Sequence, residues 1–535
     1  MLSTLLLTFA CAAPAQEPAA PLVDLLPADS FVVVEASLEP WDRLRKQTRA
    51  HAILRGQDIL KTTLSVAAEM GMEQKTDEFR AALGAVRFSL ALTPASLDFD
   101  GALLLVEPIG LASAGIEWTE IIQEMTGVSP VKFGNGHLAL MSENMVDAEA
   151  IAAYLASVAE GARSGKATLG SQAQWASLHR QISSRDDLMR ITVPGWNLKG
   201  AAFAELLDAE GAGSPEESAA FFDQVSALLG LQHGLAWATS IQGTDVIDRV
   251  LLPRDQDEAT YWSSLGPATE ALDQFGKMKA GPATATAYAI DMPAMFGAVE
   301  SLIFQSMALE GQSMSDDPTV AAVLDSLRGI MGALGPKLFA WQSIEDSVGG
   351  GLGNYQVQVR DRAALESAWA KMPQEVSSIV PLLMMQFGAG PDVVELSDTM
   401  LDMRLGTVQP DGEPMAASNE FKQMRSEIIA YLDGAEPILI QTLSMEMDRL
   451  WLTEGGGLFE AMELMFGIDF GVEIKPEQLK SLRPIWAAGK RTERGIEIYA
   501  RSTFGFTASS GLAGVMQMML MGQSGPSDDF DEEEF

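Results

Sequence analysis

Cysteine is almost missing from this chain: of 535 residues only Cys11 carries a thiol, and histidine is limited to His51, His137, His179 and His233. Cations are scarce as well, with 36 Lys and Arg against 73 Asp and Glu, for a formal net charge of −37. Cys11 lies inside the apolar N-terminal stretch Met1–Ala13, which leads into Ala13-Pro14-Ala15. A short apolar core ending in a small-x-small triplet predicts a secretory signal peptide over residues 1–15, and it is too short to span a bilayer. Cleavage near Ala15 leaves a mature chain without thiols, which excludes disulfides, thiol catalysis and cysteine-ligated metals. The approach to Cys11, Thr8-Phe9-Ala10, lacks the pattern that would mark it for lipidation. The acidic balance argues against a basic face for nucleic acid or anionic membrane.

The four histidines are scattered, with no H-E-x-x-H and no pair at helical spacing, so no metal or other cofactor is expected. Asp98, Asp100 and Gly101 imitate a fragment of a calcium loop, but the downstream ligands do not follow, and a hairpin turn is the better reading. The chain has no G-x-S-x-G elbow. Gly161 to Ala167 resembles a phosphate loop that is one spacer short and has Ala167 where the magnesium-binding hydroxyl belongs. Gly349-Gly350-Gly351-Leu352-Gly353 misses the dinucleotide fingerprint and reads as a hairpin connection.

What is present is a faint internal repeat. Leu26-Pro27-Ala28-Asp29-Ser30 leads into the β-rich Phe31–Glu35, a break at Pro40 and a helix-like run from Trp41. Gly281-Pro282-Ala283-Thr284 leads into Ala285–Ile290, a break at Pro293 and a second helix-like run. Trp175 and Phe421 each open an amphipathic helix, and Trp237 and Trp486 each sit in a strand–turn–strand pattern. The separations are 255, 246 and 249 residues, which one offset explains. The expected organisation is therefore two related α+β units, 22–253 and 281–507, joined by a helical linker over 254–280. An apolar, Met-rich segment and a solvated acidic tail occupy 508–535. Meander pairs such as Val86 to Val106 and Lys337 to Val359 favour antiparallel sheets packed on helices over a doubly wound parallel sheet.

The Leu26–Ser30 opening before a Val-rich strand resembles that of exported bacterial proteins of unknown function, of a planctomycete-like type. Gly136–Ser142 and the helix entry Met415–Phe421 fit the same pattern. The resemblance implies an exported two-unit α+β protein and brings no catalytic residues.

Two features leave chemistry open. Glu35, late in the first strand, and Asp291, at the end of its counterpart, could form a carboxylate pair of the hydrolytic kind, although an outward-facing strand residue explains Glu35 as well. Methionine is over-represented, with 28 residues. Met384, Met385, Met462 and Met465 are candidates to line a groove for lipid or peptide, against the plainer reading of core filler and the rarer one of a soft Cu(I) site. The leading expectation is a non-catalytic binding or structural component of the cell envelope, with no nucleic-acid partner and no transmembrane span. A carrier of an apolar ligand comes second, and a carboxylate hydrolase third.

Overall fold

Short β-branched and aliphatic runs separated by turn residues pair here into a single antiparallel sheet. The computed structural model describes residues 21–37, 48–49, 86–99, 101–109, 117–142, 148–164, 168–183, 187–200, 215–253, 264–268, 270–278, 284–309, 318–342, 353–373, 394–404, 413–443 and 482–503. Its first half contributes β1 (Val32–Ser37), β2 (Val86–Leu92), β3 (Gly101–Pro108), β4 (Val131–Phe133), β5 (Gly136–Ser142), β6 (Asp187–Val193), β7 (Leu235–Gln242) and β8 (Asp245–Pro253). Its second half contributes β9 (Thr284–Ala289), β10 (Leu334–Gln342), β11 (Asn354–Val359), β12 (Val394–Leu396), β13 (Met400–Arg404), β14 (Pro437–Leu443), β15 (Ile485–Thr492) and β16 (Gly495–Ser502). The spatial order is β12-β13-β11-β10-β9-β14-β15-β16-β8-β7-β6-β1-β2-β3-β5-β4. The antiparallel sheets expected in two units are thus one continuous sheet, joined where β8 runs against β16 from Val246↔Ser502 to Pro253↔Gly495.

Read outward from that seam, both halves carry the same strand order. Their registers agree as well. Arg190 pairs with Ala238 on β6–β7, and Ile440 with Ala488 on β14–β15, each residue 250 positions after its counterpart. Both pairs carry a register shift at the same place, between Asp187 and Met189 and between Pro437 and Leu439. In this register Trp237 and Ala487 hold like positions, opposite Ile191 and Gln441, and Trp486 stands one residue earlier. A one-residue slip puts the two tryptophans on opposite faces of the sheet.

Ten α-helices among the described residues cover both faces. One face carries α3 (Ala148–Arg163), α4 (Ala173–Ile182), α6 (Ala271–Lys277) and α10 (Asn419–Leu432). The other carries α2 (Trp118–Thr126), α5 (Pro215–Leu228), α7 (Met292–Leu309), α8 (Pro318–Ala333) and α9 (Arg362–Ala370). β2 and β3 form the expected hairpin, with a turn at Asp98-Phe99, and its connection also holds a one-turn helix, α1 (Pro94–Leu97), capped by Thr93 and Ser96 exchanging side-chain bonds with each other's backbone N–H. Part of the expected linker is α6, whose Phe275 is fully buried in the second half's core with Phe339 and Phe421.

Alternation decides which residues reach which layer. Leu103 and Leu105 join Trp175, Ile151 and Leu155 beneath α3 and α4, while Leu104 and Val106 meet Trp118 and Ile122 of α2. Helix α4 buries Trp175, Leu178, His179 and Ile182, a single i, i+3, i+4, i+7 stripe. Helix α10 buries Phe421, Met424, Ile428 and Leu432 and starts at Ser418, whose hydroxyl accepts from Phe421 N–H. Its 14 residues against ten in α4 add about one turn. That turn is why the helix starts lie 246 residues apart and the strands after them 250.

The entry to each helix repeats a backbone contact. Leu169 N–H donates to Leu26 O at 2.9 Å, and Met415 N–H donates to Met278 O at 2.6 Å. Side-chain size is exchanged across it. In the first half Asp24 lies against Gly170, where an added Cβ would stand 2.8 Å from the Asp24 Cβ. In the second half Gly276 lies against Ala416, where an added Cβ would stand at 3.4 Å.

Candidate functional site

The polar groups of the helix face covered by α4 and α10 form a belt that crosses the seam. At its first-half end sits Glu35. The expectation of an outward-facing residue does not hold: Glu35 is 3% exposed, because it shares a strand face with buried Val33 and points under α4. Its Oε2 takes a short hydrogen bond from His179 Nε2, and Arg190 Nη2 lies 3.3 Å from Oε1. An ionised carboxylate only accepts, so His179 carries its proton on Nε2, and its Nδ1 is buried without a partner. The imidazole stacks on Trp175 with centroids 4.5 Å apart and planes 11° from parallel. Trp175 Nε1 in turn donates to Asp24 Oδ1 at 2.7 Å, and Arg180 to Asp24 Oδ2 at 2.6 Å. Burial pushes the Glu35 carboxyl up, but the His179 hydrogen bond and the charges of His179, Arg190 and Arg87 outweigh it and hold the group below its ordinary value.

The second half supplies an internal comparison. Glu35 stands opposite Ser89 and Arg190, and the same register positions hold Ala287 opposite Phe339 and Ile440, all buried. One half has an ionic cluster where the other has plain core. Asp291 is not the counterpart of Glu35 and is not near it; it is exposed and caps α7, accepting from Ala294 N–H at 3.2 Å. The carboxylate pair is therefore not assembled.

From Arg190 the belt runs through Asp187, at 3.8 Å, to Arg249, whose Nη2 donates to Asp187 Oδ1 at 2.6 Å. Arg249 stands across the seam from Tyr499. Beyond it Arg501 pairs with Glu427 at 2.6 Å and lies 3.8 Å from Asp245, which also holds Arg49 at 2.8 Å and faces Arg483 at 3.5 Å. Trp486 Nε1 donates to Glu427 at 3.1 Å.

Above the seam, between α4 and α10, lies a cleft of about 130 Å³, lined by Gln181, Ile182, Arg249, Leu251, Tyr431, Arg494, Glu497 and Tyr499 among others. Tyr431 and Tyr499 stack at 4.9 Å; Lys490 Nζ sits 4.5 Å from the Tyr431 centroid and Trp486 packs on Tyr499 at 5.4 Å. Burial raises both phenols above their ordinary value, Tyr431 the more strongly, so both remain donors.

Met384, Met385, Met462 and Met465, the candidates for an apolar groove, lie outside the described residues, as do Gly349–Leu352, Asp100 and His51. Among the described residues no group of three or more His, Cys, Asp or Glu could hold a metal ion, and no helix is long and apolar enough to cross a membrane. Sequence reasoning placed His179 and Trp175 on one helix face but missed Arg190, Arg249, Tyr431 and Tyr499. The available signal was a charge inside an apolar strand, as in Leu188-Met189-Arg190-Ile191, since such a charge is kept only when paired.

No protein family, curated protein or solved structure matches the chain.

Proposed function

We propose that this chain is an exported, non-catalytic binding component of the cell envelope that takes its ligand at the seam between its halves. The observation that carries the reading is a contrast in how the polar groups are used. Those fit for acid–base chemistry, Glu35 and His179, are buried and engaged with each other and with Arg190. A general acid or base needs reach to a substrate proton. At the seam, by contrast, polar side chains with unused bonding capacity line an open cleft. Export rests on the apolar N-terminus with its Ala13-Pro14-Ala15 site and on the thiol-free chain that cleavage leaves.

We also propose that the halves descend from one unit used twice. The shared strand order, the matched registers with their common shift, and the repeated backbone bond support this. On that reading the seam is where the sequences diverged to make a site, since Arg249 and Tyr499 occupy equivalent positions and differ.

Fractionation of the native cell tests the proposal. The protein is expected in the envelope fraction, starting near Gln16 and chemically cross-linkable to an envelope partner or carrying a small ligand. A full-length chain in the cytosol, or turnover of a glycoside that Glu35→Gln abolishes, overturns it. A bound lipid points instead to the carrier reading.

A further inference from the structure

The cleft over the β8–β16 seam has a bonding inventory that selects its occupant. Its floor is the cross-strand pairs Leu251–Glu497 and Arg249–Tyr499, and its walls are Gln181 and Ile182 of α4 and Tyr431 of α10. Gln181 and Arg494 are exposed, so the cleft opens to solvent between them.

Four groups there have capacity left. Arg249 donates through Nη2 to Asp187, and among the described residues its Nη1 has no partner. Among the described residues the Tyr499 hydroxyl makes no hydrogen bond, whereas that of Tyr431 donates to Glu497 O at 3.1 Å. Gln181 donates through Nε2 to Ser177 Oγ, which leaves its carbonyl oxygen open. Glu497 receives Arg494 and Thr492 on Oε1 and, among the described residues, has nothing on Oε2. Two donors and two acceptors thus border one space.

Charge narrows the choice. Arg249 is balanced by Asp187, and Arg494 by Glu497, so no cation in the cleft awaits a counter-ion. A net charge of −37 further opposes capture of an anion. A neutral ligand whose groups donate and accept at once meets the mixed inventory without adding charge. Hydroxyl groups do this.

Size narrows it again. A volume of about 130 Å³ is close to the ~150 Å³ cavity that admits benzene and below the roughly 300–1,000 Å³ of cofactor-sized sites. One six-membered ring with its substituents partly in the open mouth fits. The aromatic wall is already rigid, because Tyr431 and Tyr499 are clamped between Lys490 and Trp486, so binding orders few side chains.

We infer that the seam cleft binds a single neutral sugar residue, its hydroxyls received by Arg249, Tyr499, Gln181 and Glu497. The inference rests on the reading of this chain as a binding component and names the ligand class of that site.

Saturation-transfer NMR and calorimetry on the whole protein test it with glucose, galactose and N-acetylglucosamine, beside benzoate and cyclohexane-methanol as anionic and apolar probes. Saturable millimolar binding of at least one sugar is expected. Tyr499→Phe, which keeps the ring and removes one donor, is expected to weaken it about five- to tenfold. Gln181→Leu, at an exposed position, is expected to act in the same direction. Sugar binding unchanged in both variants overturns the inference, as does no saturable sugar binding across the millimolar range. Preferential binding of benzoate or cyclohexane-methanol, lost in Tyr499→Phe, overturns the sugar class and leaves the binding reading in place. Silence from every probe while an envelope partner is still captured has the same consequence.

Discussion

Replacing Glu35 by alanine strips a buried ionic cluster of its anion. Arg190 keeps Asp187 at 3.8 Å, a bond to Ser183 Oγ at 2.6 Å and a 3.5 Å contact with His179 Nε2, and His179 loses its carboxylate partner while its Nδ1 stays buried and unbonded. Breaking a buried pair by removing one partner costs about 3–5 kcal/mol, because the other charge is left without compensation. Removing both charges is different in kind, since apolar replacement of a buried pair is often neutral or stabilising by about 1–4 kcal/mol. The molecule itself supplies the replacement: the equivalent register positions hold Ala287 and Ile440 in a well-packed core. Glu35→Ala combined with Arg190→Ile is therefore expected to be more stable than Glu35→Ala alone. In a double-mutant cycle read from urea unfolding, the coupling should reach about 2 kcal/mol. Additive costs, with the double variant as unstable as the sum of the singles, would refute the idea that the cluster is interchangeable with apolar core. They would show that His179 or Asp187 needs the pair in place.

Acid should act through the same carboxylate. Because the folded-state pKa of Glu35 is lowered, the unfolded chain takes up the proton first as pH falls, so stability present above the ordinary value of 4.5 declines below it. Glu35→Gln is expected to flatten that decline, and an unchanged acid limb contradicts the assignment. His137, pulled down by burial and by Lys132, should titrate below its ordinary 6.5 in NMR, and a midpoint at or above that value refutes the environment described. Gly170→Ala should destabilise the protein by roughly 1–3 kcal/mol in thermal unfolding, since its Cβ meets both the Asp24 side chain and backbone at under 3 Å. Gly276→Ala, with nothing nearer than 3.4 Å, should be close to neutral. Equal effects of the two would remove the asymmetry drawn between the halves.

Local structure was legible in the sequence where one period governs a segment. The 3.6-residue stripe from Trp175 and the strand–turn–strand pattern around Trp237 and Trp486 both formed as the residues suggest. The separations near 250 residues are readable in the sequence, and on the proposed duplication the hydrogen-bond register sets Trp237 against Ala487, one residue beyond Trp486. Which strands meet across the chain was not legible. The seam pairs residues about 250 positions apart, and nothing in Asp245–Pro253 distinguishes an edge from a joint. The site was hidden for the same reason. Glu35 and Arg190 each read as an isolated charge in an apolar strand until the sheet sets them opposite one another.

The central claim is that this protein binds at its seam, and native mass spectrometry of the purified whole protein in the presence of sugar tests it most directly. With millimolar sugar added, wild type is expected to show a saturable one-to-one adduct that Tyr499→Phe loses in large part while its charge-state distribution, and hence its fold, is unchanged. An adduct retained equally by both proteins would place the binding elsewhere and contradict the account.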